Sequence, residues 1–217
     1  MPLPLVCLFL LVGTSGLELP SEDRIVDGAP INITDVPYML SYMVDGNHAC
    51  GAAIIDKEWG LTAAHCVIPF VGTTDSISVR SGSNTYDSGG TVHNVTQLIY
   101  HEKYNDSTNE YDIAVLKEWD PILSNTLQYV IVPKVKWETC ADEYKDRYDL
   151  TPYQVCYGFE QGGKDSCKGD SGGPLVNINH TIIGITSWGS GCGESYSPGV
   201  YTDVIGLIDW IKHKISN

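Results

Sequence analysis

Three short stretches of the 217-residue sequence carry side chains suited to splitting an acyl bond. His65 lies in Leu-Thr-Ala-Ala-His-Cys, Asp112 in Tyr-Asp-Ile-Ala-Val-Leu, and Ser171 in Gly-Asp-Ser-Gly-Gly-Pro. A hydroxyl becomes a useful nucleophile once a base takes its proton. An imidazole can take and return that proton near neutral pH, and a carboxylate can hold the imidazole in the required tautomer. The developing oxyanion then needs backbone N–H groups, which a glycine-containing turn through Gly169 and Ser171 can aim inward without a Cβ clash. Taken one at a time, His65 reads as a core histidine, Asp112 as a cap at a strand start, and Ser171 as part of a tight turn. Their combination, in the order His, Asp, Ser, reverses that reading.

Together the three motifs resemble the trypsin/chymotrypsin family of serine proteases. An α/β-hydrolase is excluded, because there the histidine follows the serine, and His180 and His213 have no matching context here. The resemblance implies a secreted trypsin-like endopeptidase that hydrolyses peptide bonds after Lys or Arg through an acyl-enzyme, with His65, Asp112 and Ser171 as the triad and Gly169 and Ser171 as the oxyanion hole. It implies activation by cleavage of Arg24–Ile25, after which the new amine of Ile25 pairs with Asp170. Asp165, six residues before Ser171, matches the acid at the base of the primary specificity pocket, with Gly189 and Gly199 on its walls. Ser187, Trp188 and Gly189 would pair with an extended substrate backbone. Six cysteines remain once Cys7 in the leader is set aside, and spacing alone allows about 15 pairings. The resemblance implies Cys50 with Cys66, Cys140 with Cys156, and Cys167 with Cys192. It also implies a monomer without a cofactor, whose partners are protein or peptide substrates and proteinaceous inhibitors.

Several elements must position these groups. Short apolar runs at 50–55, 77–81, 95–100, 113–116, 130–135 and 181–188, separated by Gly, Asn and Asp clusters, read as strands. Evenly spaced strands of this kind point to an all-β architecture, and the resemblance makes it two six-stranded antiparallel β-barrels. Val204, Ile208, Ile211 and Ile215 recur at helical spacing and predict a C-terminal helix lying on one apolar face. The expected organisation is a signal peptide at 1–16, a propeptide at 17–24, an N-terminal barrel at 25–121, and a C-terminal barrel with the final helix at 122–217.

One interval departs from the family. Only 59 residues separate Asp112 from Ser171, about 30 fewer than the roughly 90 of the family template. The second barrel is therefore expected to be incomplete, and a catalytically impaired homologue, a binding or decoy protein or an unproductive splice product, stands as the alternative function.

Residues 3–12 form an apolar run followed by small residues, the pattern of a cleaved secretory leader. Asn32, Asn94, Asn105 and Asn179 each begin an N-glycosylation triplet, which agrees with an extracellular protein. A net charge of -14 excludes nucleic acid and anionic membrane as partners, since both require clustered Lys and Arg. The loop between Arg80 and Thr91 holds one acid, Asp87, too few oxygen ligands for Ca²⁺, so no metal is expected.

Overall fold

Strand β1 (Ala29–Ile31) leads to β2 (Met39–Val44) and β3 (Asn47–Asp56) in a computed structural model that describes residues 25–118 and 127–216. The expected leader, the propeptide with Arg24, and the boundary at 121 lie outside the described residues. Asp45 and Gly46, with φ of 50° and 77°, join β2 to β3 as a two-residue turn. That left-handed pair suits the twist of a hairpin, and Asp-Gly is a sequence that adopts it readily. The chain continues through β4 (Trp59–Thr62), the single helical turn α1 (Ala64–Val67), β5 (Ile77–Ser81), β6 (Thr91–Tyr100) and β7 (Ala114–Glu118).

In β6, His93, Val95 and Leu98 face inward while Val92, Asn94, Thr96 and Gln97 face outward. The change of parity coincides with a bulge between Val95 and Gln97, which re-aims the second half of the strand. Strands pair in the order β2-β3-β4-β7-β6-β5, and β5 returns to β2 to close a six-stranded barrel. Closure leaves this half without a free edge.

The second half is built from β8 (Leu127–Tyr129), β9 (Lys134–Val135), helix α2 (Trp137–Tyr144), β10 (Gln154–Tyr157), β11 (Pro174–Val176), β12 (Ile182–Trp188) and β13 (Gly199–Asp203). Among the described residues its sheet has five strands in the order β11-β12-β13-β10-β9 and does not close. The expected incomplete barrel is thus observed as an open sheet. The run 130–135 is not one strand, which corrects the expectation: β8 pairs instead with β1, and only Lys134 and Val135 join the sheet. Pro133 lies between the two and has no N–H to give a ladder, although its carbonyl accepts from Gly158.

Helix α3 (Ile208–Ile215) closes the chain. Val204, Leu207 and Ile211 are buried in the main core beside Leu98, Ile113 and Ile185, whereas Ile208 is 39% exposed. Three of the four expected positions therefore face the core, Ile215 partly buried against it, and Leu207 takes the place of Ile208. Trp210 Nε1 donates to Glu102 Oε2 at 2.9 Å, and Lys214 pairs with the same carboxylate, which fastens the helix to the segment after β6.

Candidate active site

His65 stands on α1, directly after the fully buried strand β4, so a rigid wall sets its backbone. Its ring is 31% exposed, whereas Asp112 is wholly buried. Asp112 precedes β7 at the centre of a tight turn in which Ile113 N donates to Tyr111 O at 2.8 Å. Tyr111 is held at φ 55°, an unfavourable value for a bulky residue, by stacking on His101 and packing on Tyr153, each 4.5 Å away between ring centroids.

The Asp112 carboxylate is fully engaged. Oδ1 accepts from the His65 backbone N–H at 2.9 Å, while Oδ2 accepts from His65 Nδ1 at 2.8 Å and from Ser187 Oγ at 2.5 Å. Thr202 Oγ1 donates to the Asp112 carbonyl at 2.7 Å. A buried carboxylate needs such donors, and here β12 and β13 of the second half supply two of the four bonds. Burial opposes charge on the His65 ring, but the hydrogen bond and negative charge of Asp112 outweigh it and raise the pKa above the ordinary histidine value.

Ser171 lies in a turn bolted to both halves. Gly51 N on β3 donates to Ser171 O at 2.7 Å, Gly172 N donates to Thr186 O at 2.8 Å, and Thr186 N donates to Gly173 O at 2.9 Å. Gly172 has φ 79°, and a Cβ there would lie 2.2 Å from Thr62 Oγ1 and 2.4 Å from Gly51 O, so glycine is required. Gly169 also adopts the left-handed region, at φ 88°. No hydrogen bond joins Ser171 Oγ to His65 Nε2 among the described residues; Nε2 lies 3.5 Å from Cys66 Sγ. Catalytic hydrogen bonds are often long before substrate binds. Cys50, His65 and Cys66 bring their donor atoms together, but the two cysteine sulfurs are joined in a disulfide and offer no thiolate to a metal.

Two residues without a motif support this turn. His48 Nε2 bonds the Gly169 carbonyl at 2.9 Å and its Nδ1 bonds Ser41 Oγ at 2.8 Å. A carbonyl only accepts, so Nε2 carries a proton, and Nδ1 accepts from the serine hydroxyl in the uncharged ring.

Asp165 is buried. Ser166 N donates to its Oδ1 at 2.8 Å and Gly193 N to its Oδ2 at 3.0 Å. Burial pushes its pKa up to about 6, with the two backbone donors pulling the other way. A Cβ on Gly199 would stand 2.7 Å from Asp165 Oδ1, so only glycine leaves that face of the carboxylate open. Gly189 has no atom closer than 3.9 Å to an added Cβ. Trp188 packs on Tyr144 and Tyr148, with centroids 5.0 and 5.2 Å away.

Asp170 accepts from Cys167 N at 2.8 Å. Burial raises its pKa to about 6, the Cys167 N–H lowers it, and the charge of Asp165 adds to the rise. Val26 N donates to the Asp165 carbonyl at 2.9 Å, which docks the segment beginning at Ile25 on the loop that carries both acids.

All three disulfides have the implied pairing. Asn32, Asn94, Asn105 and Asn179 are exposed. In the loop after β5, the Arg80 guanidinium donates to the carbonyls of Gly89, Tyr86 and Asp87 at 2.5, 3.3 and 3.4 Å. No helix of the described residues is long and apolar enough to cross a membrane.

The family model described as Trypsin matches residues 25–123 and 117–211, two pieces that meet where the chain is short. Trypsin theta of Drosophila melanogaster is 36% identical over 253 positions, covering 95% of each chain. The vitellin-degrading protease of Bombyx mori is 34% identical over 252 positions, covering 98% of this chain and 94% of the relative. Trypsin 5G1 of Aedes aegypti is 34% identical over 232 positions, covering 89% and 86%. Alignments longer than the 217 residues of this chain mean that these relatives carry residues it lacks.

Proposed function

Because the chain belongs to the trypsin family and is a serine endopeptidase of that family, we propose that it cleaves after Lys or Arg with Ser171 as nucleophile. The observation that carries this is the buried Asp112 carboxylate shared by His65 Nδ1 and Ser187 Oγ. Ser187 is the hydroxyl bonded within that trio, yet it spends its proton on the carboxylate that orients the ring, on the Nδ1 side. The base must act through Nε2, which leaves Ser171 for attack. In that scheme Ser171 Oγ bonds to the carbonyl carbon while its proton passes to His65 Nε2, and the N–H groups of Gly169 and Ser171 receive the oxyanion. The intermediate collapses as Nε2 gives its proton to the leaving amine, and water then repeats the sequence to free the acyl group. Each oxyanion donor contributes about 3 kcal/mol of transition-state stabilisation.

Asp165 supplies the specificity in this reading. Among the described residues no cation pairs with its buried carboxylate, so a substrate Lys or Arg gains an ion pair there, and an apolar side chain would leave the charge unmatched. Cleavage after Arg24 would free the amine of Ile25 to pair with Asp170, coupling proteolysis to order in the oxyanion turn. Secretion, glycosylation of the four exposed asparagines, and protein substrates and inhibitors as partners belong to the same proposal. So does the division into two barrel halves near residue 121.

The open second sheet favours one competing reading, an impaired homologue that binds without cleaving. The two are separated by cleaving the full chain after Arg24 and measuring hydrolysis of an arginine ester beside Ser171→Ala. Turnover well above the variant supports the protease, and equality with it supports the binder.

A further inference from the structure

On the reading that Asp165 floors the substrate pocket, its two walls are residues 189–191 after β12 and residues 197–199 leading into β13, where Gly199 faces the carboxylate. The Cys167–Cys192 disulfide ties the first wall to the Asp165 loop and leaves the second untied. Two side chains at the end of α2 reach both. Tyr144, fully buried, donates its hydroxyl to the Pro198 carbonyl at 2.7 Å and accepts from Ser190 N at 3.3 Å. Three residues on, Arg147 lies over the Tyr144 ring, 5.3 Å from its centroid. Its Nη1 donates to Ser190 Oγ at 2.7 Å, and its Nη2 donates to Ser197 Oγ at 3.2 Å and to the Glu143 carbonyl at 3.3 Å.

This placement is unexpected on charge grounds alone. A cation beside a pocket that receives cationic side chains repels them, and no carboxylate of the described residues forms an ion pair with Arg147. Its bonds are instead to two hydroxyls, one on each wall, and to the Glu143 carbonyl of the helix that precedes it. A planar guanidinium holds several acceptors at fixed separation, which the single point charge of lysine does not.

We propose that Arg147 is a positioning residue for substrate selection, a strap that fixes the distance between the Ser190 and Ser197 walls. The proposal rests on the reading that Asp165 floors the substrate pocket. Coulomb repulsion and the strap predict opposite signs when the charge is removed: the first predicts tighter binding of cations, the second weaker.

The test uses the full chain cleaved after Arg24. In Arg147→Ala, KM for an arginine ester and the dissociation constant of benzamidine rise together by about five- to tenfold, the weight of one net hydrogen bond or slightly more, with kcat within about twofold. The Ser190→Ala/Ser197→Ala double variant does the same, adding Arg147→Ala to it changes nothing further, and Arg147→Gln recovers part of the loss. Unchanged or tighter benzamidine binding in Arg147→Ala, or additive effects of the three substitutions, would overturn the strap. Benzamidine binding by calorimetry needs no turnover, so an inactive wild-type chain would refute the protease reading and still leave the strap decided.

Discussion

Replacing Asp165 by Asn should destroy the selectivity of the protein and make its stability, relative to the parent, rise between pH 5 and pH 8. The Asp165 carboxyl sits near pKa 6 in the fold against 3.8 for an unperturbed aspartate. A raised carboxyl pKa means that the folded state resists ionisation, so the cost is absent below pH 4 and fully present above pH 6. Linkage puts it at about 3 kcal/mol at pH 8 and about half that at pH 5. Asparagine removes the charge, but its NH₂ faces one of the two N–H donors, from Ser166 or Gly193. That clash costs about 1–3 kcal/mol independently of pH. The difference between the two pH values, about 1.5 kcal/mol, is therefore the clean quantity. Urea unfolding of the variant and its parent at pH 5 and pH 8, with Ser171→Ala in both to prevent self-digestion, measures it. Activity on an arginine ester should fall by about thirty- to several-thousandfold, as expected when one partner of a buried charge pair is lost. A stability difference that does not change between pH 5 and pH 8 would refute the assignment of Asp165 as a buried, unpaired anion.

Asp112→Asn should cut kcat by about four orders of magnitude, because an amide no longer selects the required His65 tautomer, and single-turnover assays at neutral pH measure it. In the parent, kcat/KM should rise with pH through a value above 6.5, since only unprotonated His65 accepts a proton and Asp112 favours the protonated ring; a midpoint below 6.5 would contradict this. Cleavage after Arg24 should add stability that is full below the unfolded α-amine pKa of about 8 and lost as pH rises through the higher folded value, because Asp170 then has a cation to pair with. Thermal melts of cleaved and uncleaved Ser171→Ala protein between pH 6 and 10 test it. His48→Ala removes the donor that holds the Gly169 carbonyl and should lower kcat about tenfold with little change in KM, read from steady-state kinetics on an ester.

The residues proposed for the chemistry were the easiest to read, since His65, Asp112 and Ser171 each sit in a tight local motif whose small neighbours, such as Gly172 against Thr62, have no freedom to vary in size. Residues that act through a single long-range hydrogen bond left no comparable mark. His48 meets Gly169 across 121 positions, and Arg147 meets Ser197 across 50. Helix α2 did carry a faint signal in Trp137, Cys140 and Tyr144 at spacings of three and four, but the charged residues among them masked it. The short strands β4, β10, β11 and β13 are too brief, or too rich in glycine, for alternation to stand out. In the run 130–135 the apolar residues outweighed Pro133, although the missing N–H decides the outcome. At the start of α3 the helical spacing does not say which of two adjacent apolar residues turns inward, and it is Leu207, the N-cap residue, rather than Ile208.

The grip on Asp112 has a mechanical meaning as well as a chemical one. Its carboxylate and carbonyl are anchored by Ser187 and Thr202 from the open sheet, while β7, the strand it leads into, belongs to the closed barrel, and the serine turn is stitched to both by Gly51 and Thr186. The machinery is thus a rivet through the seam of the molecule. The open half is clamped to the barrel through the same residues proposed for the reaction, and loss of hydrolysis and loss of shape on heating should arrive as a single event.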